Sequence, residues 1–177
     1  MSQESHQPKI LKLEQGAIVT AHFNSNSKSL EPLLGKNPEK LEAIKADLRV
    51  EDDVVKLFSS AQHTFGSVQI IIVNHAISVV KDDYLWEMSL DRWRTTIDTN
   101  LTSSFLVTRE YLKQLKTASL DAKEKAAIIF IGSTAGKYGD SFYFSLHTSL
   151  TKQFIHIFFL IRRSWTRRLC SFQKWYV

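Results

Sequence analysis

The chain has one cysteine, Cys170, among its 177 residues. A lone thiol cannot build a disulfide framework, which excludes a small stapled secreted scaffold. Long hydrophobic runs are missing as well. The longest, Phe154 to Ile161, is flanked by Lys152 and Arg162 and falls far short of the roughly 20 residues that a membrane-crossing helix needs. Residues 1–12 are polar and contain no apolar stretch of the secretory type. The expectation is a cytoplasmic protein with no transmembrane segment. Glycine is scarce, six in all, and every one lies at or before Gly139. Acidic residues are absent from Ser141 to Val177.

What is present is ordinary for a globular protein in bulk. Apolar residues make up 44% and charged residues 23%, enough for one domain with its own core. The formal charge of +5 is unevenly placed. Six of the 23 cationic residues (Lys152, Arg162, Arg163, Arg167, Arg168, Lys174) lie beyond Ser141, so 17 face 18 acidic residues in the remainder. The same segment holds ten of the twenty aromatics. The body is therefore nearly neutral, and its charge gives no reason to expect a nucleic-acid partner. Three segments are expected: a disordered lead-in over 1–15, a partial domain over 16–139, and a basic aromatic tail over 140–177.

Local patterning predicts alternating strands and helices. Ala17 to Phe23 reads as a strand closed by the polar run Asn24 to Ser27. A short helix after Ser29 tolerates Pro32 in its first turn. Leu41 to Leu48 reads as a second strand. Glu51, Asp52 and Asp53 suit a helix N-terminus, apolar residues follow at helical spacing from Val54 to Phe65, and Gly66 ends that helix. Val68 to Val73 and Ala126 to Ile131 are short apolar runs without alternation, as in parallel strands covered on both faces. Between them, after Ser89, a long helix is expected with Trp93, Ile97, Leu101, Phe105, Leu112 and Leu115 as its buried stripe. The order predicts an α/β doubly wound parallel sheet.

Four motifs fall on these elements in a telling order. Asp47-Leu48 ends the second strand. Asn74-His75-Ala76 follows the third. Thr99-Asn100-Leu101 lies inside the long helix, and Ile131-Gly132-Ser133-Thr134-Ala135-Gly136 follows the last strand. Together they resemble the short-chain dehydrogenase/reductase family over about Gly16 to Gly139, in particular ketoreductases of the 3-oxoacyl-carrier-protein reductase type. The resemblance implies a Rossmann-type fold and an oxidoreductase that reduces a small-molecule carbonyl to an alcohol, or the reverse, with NAD(P)(H). It implies that Asp47 and Leu48 meet the adenine, that Asn74, His75 and Ala76 line the cofactor, and that Asn24 and Ser25 face the adenosine ribose. Ser133 would orient the substrate oxygen and Asn100 would serve a water-linked proton relay. No acidic residue follows the first strand before Glu31, which tilts the expectation toward NADP(H) over NAD(H). No metal site is expected.

Two departures from the family pattern cut against catalysis. The family opens with a strand and a Thr-Gly-x-x-x-Gly-x-Gly loop, whose glycines let the backbone approach the pyrophosphate at a helix N-terminus. Here Gly16 to Thr20 is followed by Ala21-His22-Phe23, and the distance to Asp47 fits if Ala17 to Phe23 is the family's second strand. The expected fold is then an incomplete Rossmann-type sheet, with the opening strand and glycine-rich loop missing and cofactor binding weakened or lost. The family also places a tyrosine 13 residues after its serine and a lysine four residues further on. Here those positions are Leu146 and Leu150. Tyr143, with His147 four residues on, is the stand-in. A change of reading frame or splicing near Asp140 would account for the composition break; a genuine lipid- or nucleic-acid-binding tail is the competing reading. A catalytically inactive pseudo-enzyme that binds a nucleotide or protein is the alternative to an impaired reductase. The family's tetramer is not carried over.

Overall fold

The computed structural model describes residues 13, 16–77 and 85–132. Four strands and five helices alternate along them. They are β1 (Val19–Phe23), α1 (Glu31–Lys36), β2 (Leu41–Lys45), α2 (Glu51–Phe65), β3 (Ile70–Val73), α3 (Leu90–Ile97), α4 (Ser103–Thr117), α5 (Leu120–Glu124) and β4 (Ala127–Phe130). A single 3₁₀ turn, Leu85–Glu87, precedes α3, and one π-helical turn, Asp98–Thr102, joins α3 to α4.

All strand pairs among the described residues are parallel. β1 pairs with β2 in the register Val19 to Leu41, and β3 pairs with β4 in the register Ile70 to Ala127. The ladders run slightly past the strands. Ala46 donates its N–H to the Phe23 carbonyl at 3.1 Å, and Ile131 donates to the Val73 carbonyl at 3.0 Å. The described residues thus form two two-stranded sheets, not one continuous sheet.

The sequence places these elements well and their ends less well. β1 starts two residues later than Ala17, β2 stops at Lys45 instead of Leu48, and β3 starts at Ile70 instead of Val68. α5 and the 3₁₀ turn are not anticipated, because three to five residues carry no readable periodicity. α2 begins with its three acidic residues on the helix N-terminus. It ends at Gly66, whose φ of +81° disfavours a side chain.

Two expectations about burial fail. β3 is not covered on both faces: Ile71 and Val73 are buried, whereas Ile70 and Ile72 are 45% and 51% exposed. Both α2 and α4 pack on the buried face, so an all-apolar strand has only one side covered. The long helix also buries a different stripe. Its sequestered residues are Thr96, Asn100, Ser103, Ser104, Leu106, Val107 and Tyr111, while Phe105 is 41% exposed. The buried positions Thr96, Asn100, Ser103, Val107 and Tyr111 recur at helical spacing through the π turn, on a face beside the apolar one, because part of that face is polar and hydrogen-bonded.

The core joins the two sheets. Ala46 and Leu48 beyond β2, Val54, Leu57 and Phe58 of α2, Ile71 and Val73 of β3, and Leu106, Val107 and Tyr111 of α4 form one cluster. Burying side chains of this size contributes about 1.5 to 3 kcal/mol each. Tyr111 ties the helix to the sheet: its ring lies 6.5 Å from that of Phe58, and its hydroxyl donates to the Gln69 carbonyl just before β3. Leu13 is helical and buried, and its carbonyl accepts the Gly16 N–H at 3.0 Å.

Candidate functional site

Parallel strands point their carboxyl ends the same way, and the loops leaving those ends are where an α/β sheet places its ligand. Three such loops bear predicted site residues. Asn24 and Ser25 leave β1 and are exposed. Asp47 and Leu48 leave β2. The Leu48 side chain is spent in the core, so only its backbone can meet a ligand. Asn74, His75 and Ala76 leave β3, with Asn74 and Ala76 exposed and His75 half-buried.

Asp47 has a neighbour that the sequence reading missed. Arg49 donates from Nε to Oδ1 at 2.9 Å and to Oδ2 at 3.2 Å, from Nη2 to Oδ2 at 2.6 Å, and from its backbone N–H to Oδ1 at 3.0 Å. These bonds hold the Asp47 carboxyl at a pKa of about 2, well below the ordinary carboxylate range, and the backbone N–H and charge of Arg49 add to the same effect. The turn is braced from both sides. Asp53 on α2 accepts the Asp47 N–H at 3.0 Å. The His22 ring on β1 donates from Nε2 to the Ala46 carbonyl at 2.8 Å, which fixes its tautomer because a carbonyl can only accept.

Asn100 is 1% exposed and sits in the π turn. Its Nδ2 donates to the Ile77 carbonyl at 3.0 Å, and its Oδ1 accepts the Ile77 N–H at 2.8 Å. The amide therefore behaves like a one-residue strand partner that pins the loop after β3 to the long helix.

His75 makes a second crossing. Its Nε2 lies 2.6 Å from Ser103 Oγ and 3.4 Å from Ser104 Oγ. Both serine hydroxyls already donate to helix carbonyls, Ser103 to Thr99 at 2.5 Å and Ser104 to Asn100 at 2.7 Å. Each hydroxyl has one proton, so the bond to Ser103 requires a proton on His75 Nε2. Ser103 and Ser104 were not singled out in the sequence. The available signal was two small hydroxyls inside a helix, which commonly bond back to a carbonyl four residues earlier.

Ser133 and Tyr143 lie outside the described residues, as does the expected tail from 140 to 177. Among the described residues no cluster of three or more His, Cys, Asp or Glu side chains could hold a metal ion. None of the described helices is long and apolar enough to cross a membrane.

These loops, in this order, are matched elsewhere. The family model for short chain dehydrogenases matches residues 11–158. The chain belongs to the short-chain dehydrogenase family. It is 32% identical over 102 residues to the 3-oxoacyl-[acyl-carrier-protein] reductase MabA of Mycobacterium avium, a stretch covering 58% of this chain and 37% of that protein. It is 29% identical over 111 residues to a short-chain type dehydrogenase/reductase of Picea abies, covering 58% of this chain and 41% of that one. Its matches thus span about two-fifths of the length of these relatives. Among solved structures, a short-chain dehydrogenase/reductase (glucose/ribitol dehydrogenase) from Brucella melitensis superposes with a TM-score of 0.72 at 23% identity, over 87% of this chain and 62% of that one. The fold is accordingly the Rossmann-type α/β fold of this oxidoreductase family.

The fit of a dinucleotide to these loops is uneven. At the adenosine end, Asp47, Asn24, Ser25, Asn74 and Ala76 offer polar or open positions at strand ends. With β1 as the family's second strand, the helix after it, Glu31–Lys36, belongs to this same adenosine end, and among the described residues no glycine-rich loop stands ahead of it to meet the pyrophosphate. The described residues therefore offer candidate positions for the adenosine half alone.

Proposed function

We propose that this short-chain dehydrogenase-family chain is an impaired NAD(P)(H)-type carbonyl reductase whose retained capacity is recognition of the adenosine half of the cofactor. The observation that carries the reading is the pinned carboxyl-end loop set, with Asp47 oriented by the Arg49 N–H and the loop after β3 fixed by Asn100. The relatives named as 3-oxoacyl-[acyl-carrier-protein] reductases make a 3-oxoacyl thioester the substrate class to try. In this reading Asp47 and the Leu48 backbone take the adenine ring. Asn24 and Ser25 face the ribose, with NADP(H) preferred, and Asn74, His75 and Ala76 form the opposite wall. Ser133 orients the carbonyl oxygen, Asn100 holds the relay in place, and Tyr143 stands where an acid–base group is needed.

Impairment follows from the sequence. The tyrosine and lysine positions hold Leu146 and Leu150, and general acid–base groups contribute about 100- to 10,000-fold. The test is NADPH oxidation with acetoacetyl thioester, alongside equilibrium binding of AMP. Measurable AMP binding with turnover at least about 100-fold below that of a family member with an intact tyrosine–lysine pair is expected. Full turnover abolished by Tyr143→Phe would contradict the impairment, and absence of AMP binding would contradict the retained site. The second reading is a catalytically inactive nucleotide or protein binder. Leu146 and Leu150 at the tyrosine and lysine positions favour it, and AMP binding with no turnover at all would select it.

A further inference from the structure

We infer that Arg49 competes with the adenine ring for the Asp47 carboxylate, so that this chain takes up an adenine nucleotide only by exchanging a guanidinium contact for the ring's exocyclic amine. The inference rests on the reading of Asp47 given above. An ionised carboxylate accepts only, at about four lone-pair sites. Arg49 supplies four donor contacts: its N–H and Nε on Oδ1, and Nε and Nη2 on Oδ2. Both oxygens are thus filled from within the chain. A further donor must displace one of these contacts.

The contact that yields is the guanidinium. The backbone N–H bond belongs to the turn and fixes the carboxylate's orientation. The Arg49 side chain is the more exposed partner, 44% against 28% for Asp47, and its long stem can swing without disturbing the core. It also has a second negative charge to move toward, because Asp98 at the head of the π turn already acts electrostatically on Arg49. A guanidinium that leaves Asp47 for Asp98 vacates Oδ2 and keeps a carboxylate nearby.

Two nucleotides separate this from a merely structural ion pair. AMP presents an amine donor at the ring position where IMP presents a carbonyl acceptor. Isothermal titration of both into the full-length chain, its Arg49→Met, Arg49→Lys and Asp47→Asn variants is the experiment. Methionine keeps the apolar stem and removes every side-chain donor, leaving the backbone N–H on Oδ1. Arg49→Met is expected to tighten AMP by about two- to five-fold, the range that an exposed ion pair is worth. IMP should be unchanged or weakened, and Arg49→Lys should fall between. If Asp47→Asn weakens AMP while Arg49→Met leaves the ratio of AMP to IMP affinity unchanged, the competition is overturned and the Asp47 reading stands. If Asp47→Asn leaves AMP affinity untouched, or the wild type and Arg49→Met both fail to bind AMP at millimolar concentration, both are overturned. Far-UV circular dichroism of each variant checks that the exposed substitution leaves the fold intact.

Discussion

A buried asparagine destabilises a core unless both halves of its amide are paired. Asn100 meets that condition with the two backbone groups of one residue, Ile77. Sequence alone placed Asn100 on a helix and as buried, but its partner is 23 positions away and no local pattern encodes it. The same holds for His75, whose role depends on Ser103 being 28 positions on. Arg49 is different: it lies two residues from Asp47, and a short loop after a strand brings such a pair together, so that contact was within reach of sequence reasoning. Replacing Asn100 with alanine strands the Ile77 N–H and carbonyl together. Each unpaired group costs about 1 to 3 kcal/mol when buried, and Ile77 is only half-buried. A total loss of about 2 kcal/mol is expected from urea unfolding of Asn100→Ala. Asn24→Ala, on an exposed loop, should stay within about 0.5 kcal/mol. Equal effects from the two would show that the Asn100 bonds contribute nothing to stability.

At the scale of elements, the start of α3 was legible because its cap is local. Ser89 sits in extended geometry with its Oγ accepting the Arg92 N–H at 3.2 Å, as expected for a serine before an apolar-periodic segment. Removing it in Ser89→Ala should lower stability by about 1 kcal/mol, read as a shift in the urea midpoint with unchanged slope. A shift below about 0.3 kcal/mol would mean that the turn Leu85–Glu87, not the cap, fixes the start of α3. What could not be read was the interruption. Nothing in Asp98-Thr99-Asn100-Leu101-Thr102 marks a π turn by composition. The expected stripe followed apolar residue type, so it passed over Thr96, Ser103 and Ser104, which are buried in its place. Asn100, Ser103 and Ser104 hold the β3 loop through Ile77 and His75.

At the scale of the whole molecule, the order of strands and helices was legible, and the arrangement of the sheet was legible only through the family resemblance. Among the described residues β1 pairs only with β2 and β3 only with β4, two halves of sheet. What rejoins the halves is the side-chain core, in which Ala46 and Leu48 from one sheet share a cluster with Ile71 and Val73 from the other. That cluster lies on one face alone, and this makes a test on adjacent residues of a single strand. Ile71→Thr inserts a hydroxyl and removes a methyl from the packed face, at an expected cost of about 2 kcal/mol or more. Ile72→Thr makes the same chemical change one position along, on the face that is half exposed, and should stay within about 0.5 kcal/mol. Because the two substitutions share strand propensity and hydrogen-bond register, the difference between their unfolding free energies isolates burial. If Ile72→Thr costs as much as Ile71→Thr, the second face of β3 is covered in solution and the sheet is sandwiched as its unbroken apolar sequence first implied.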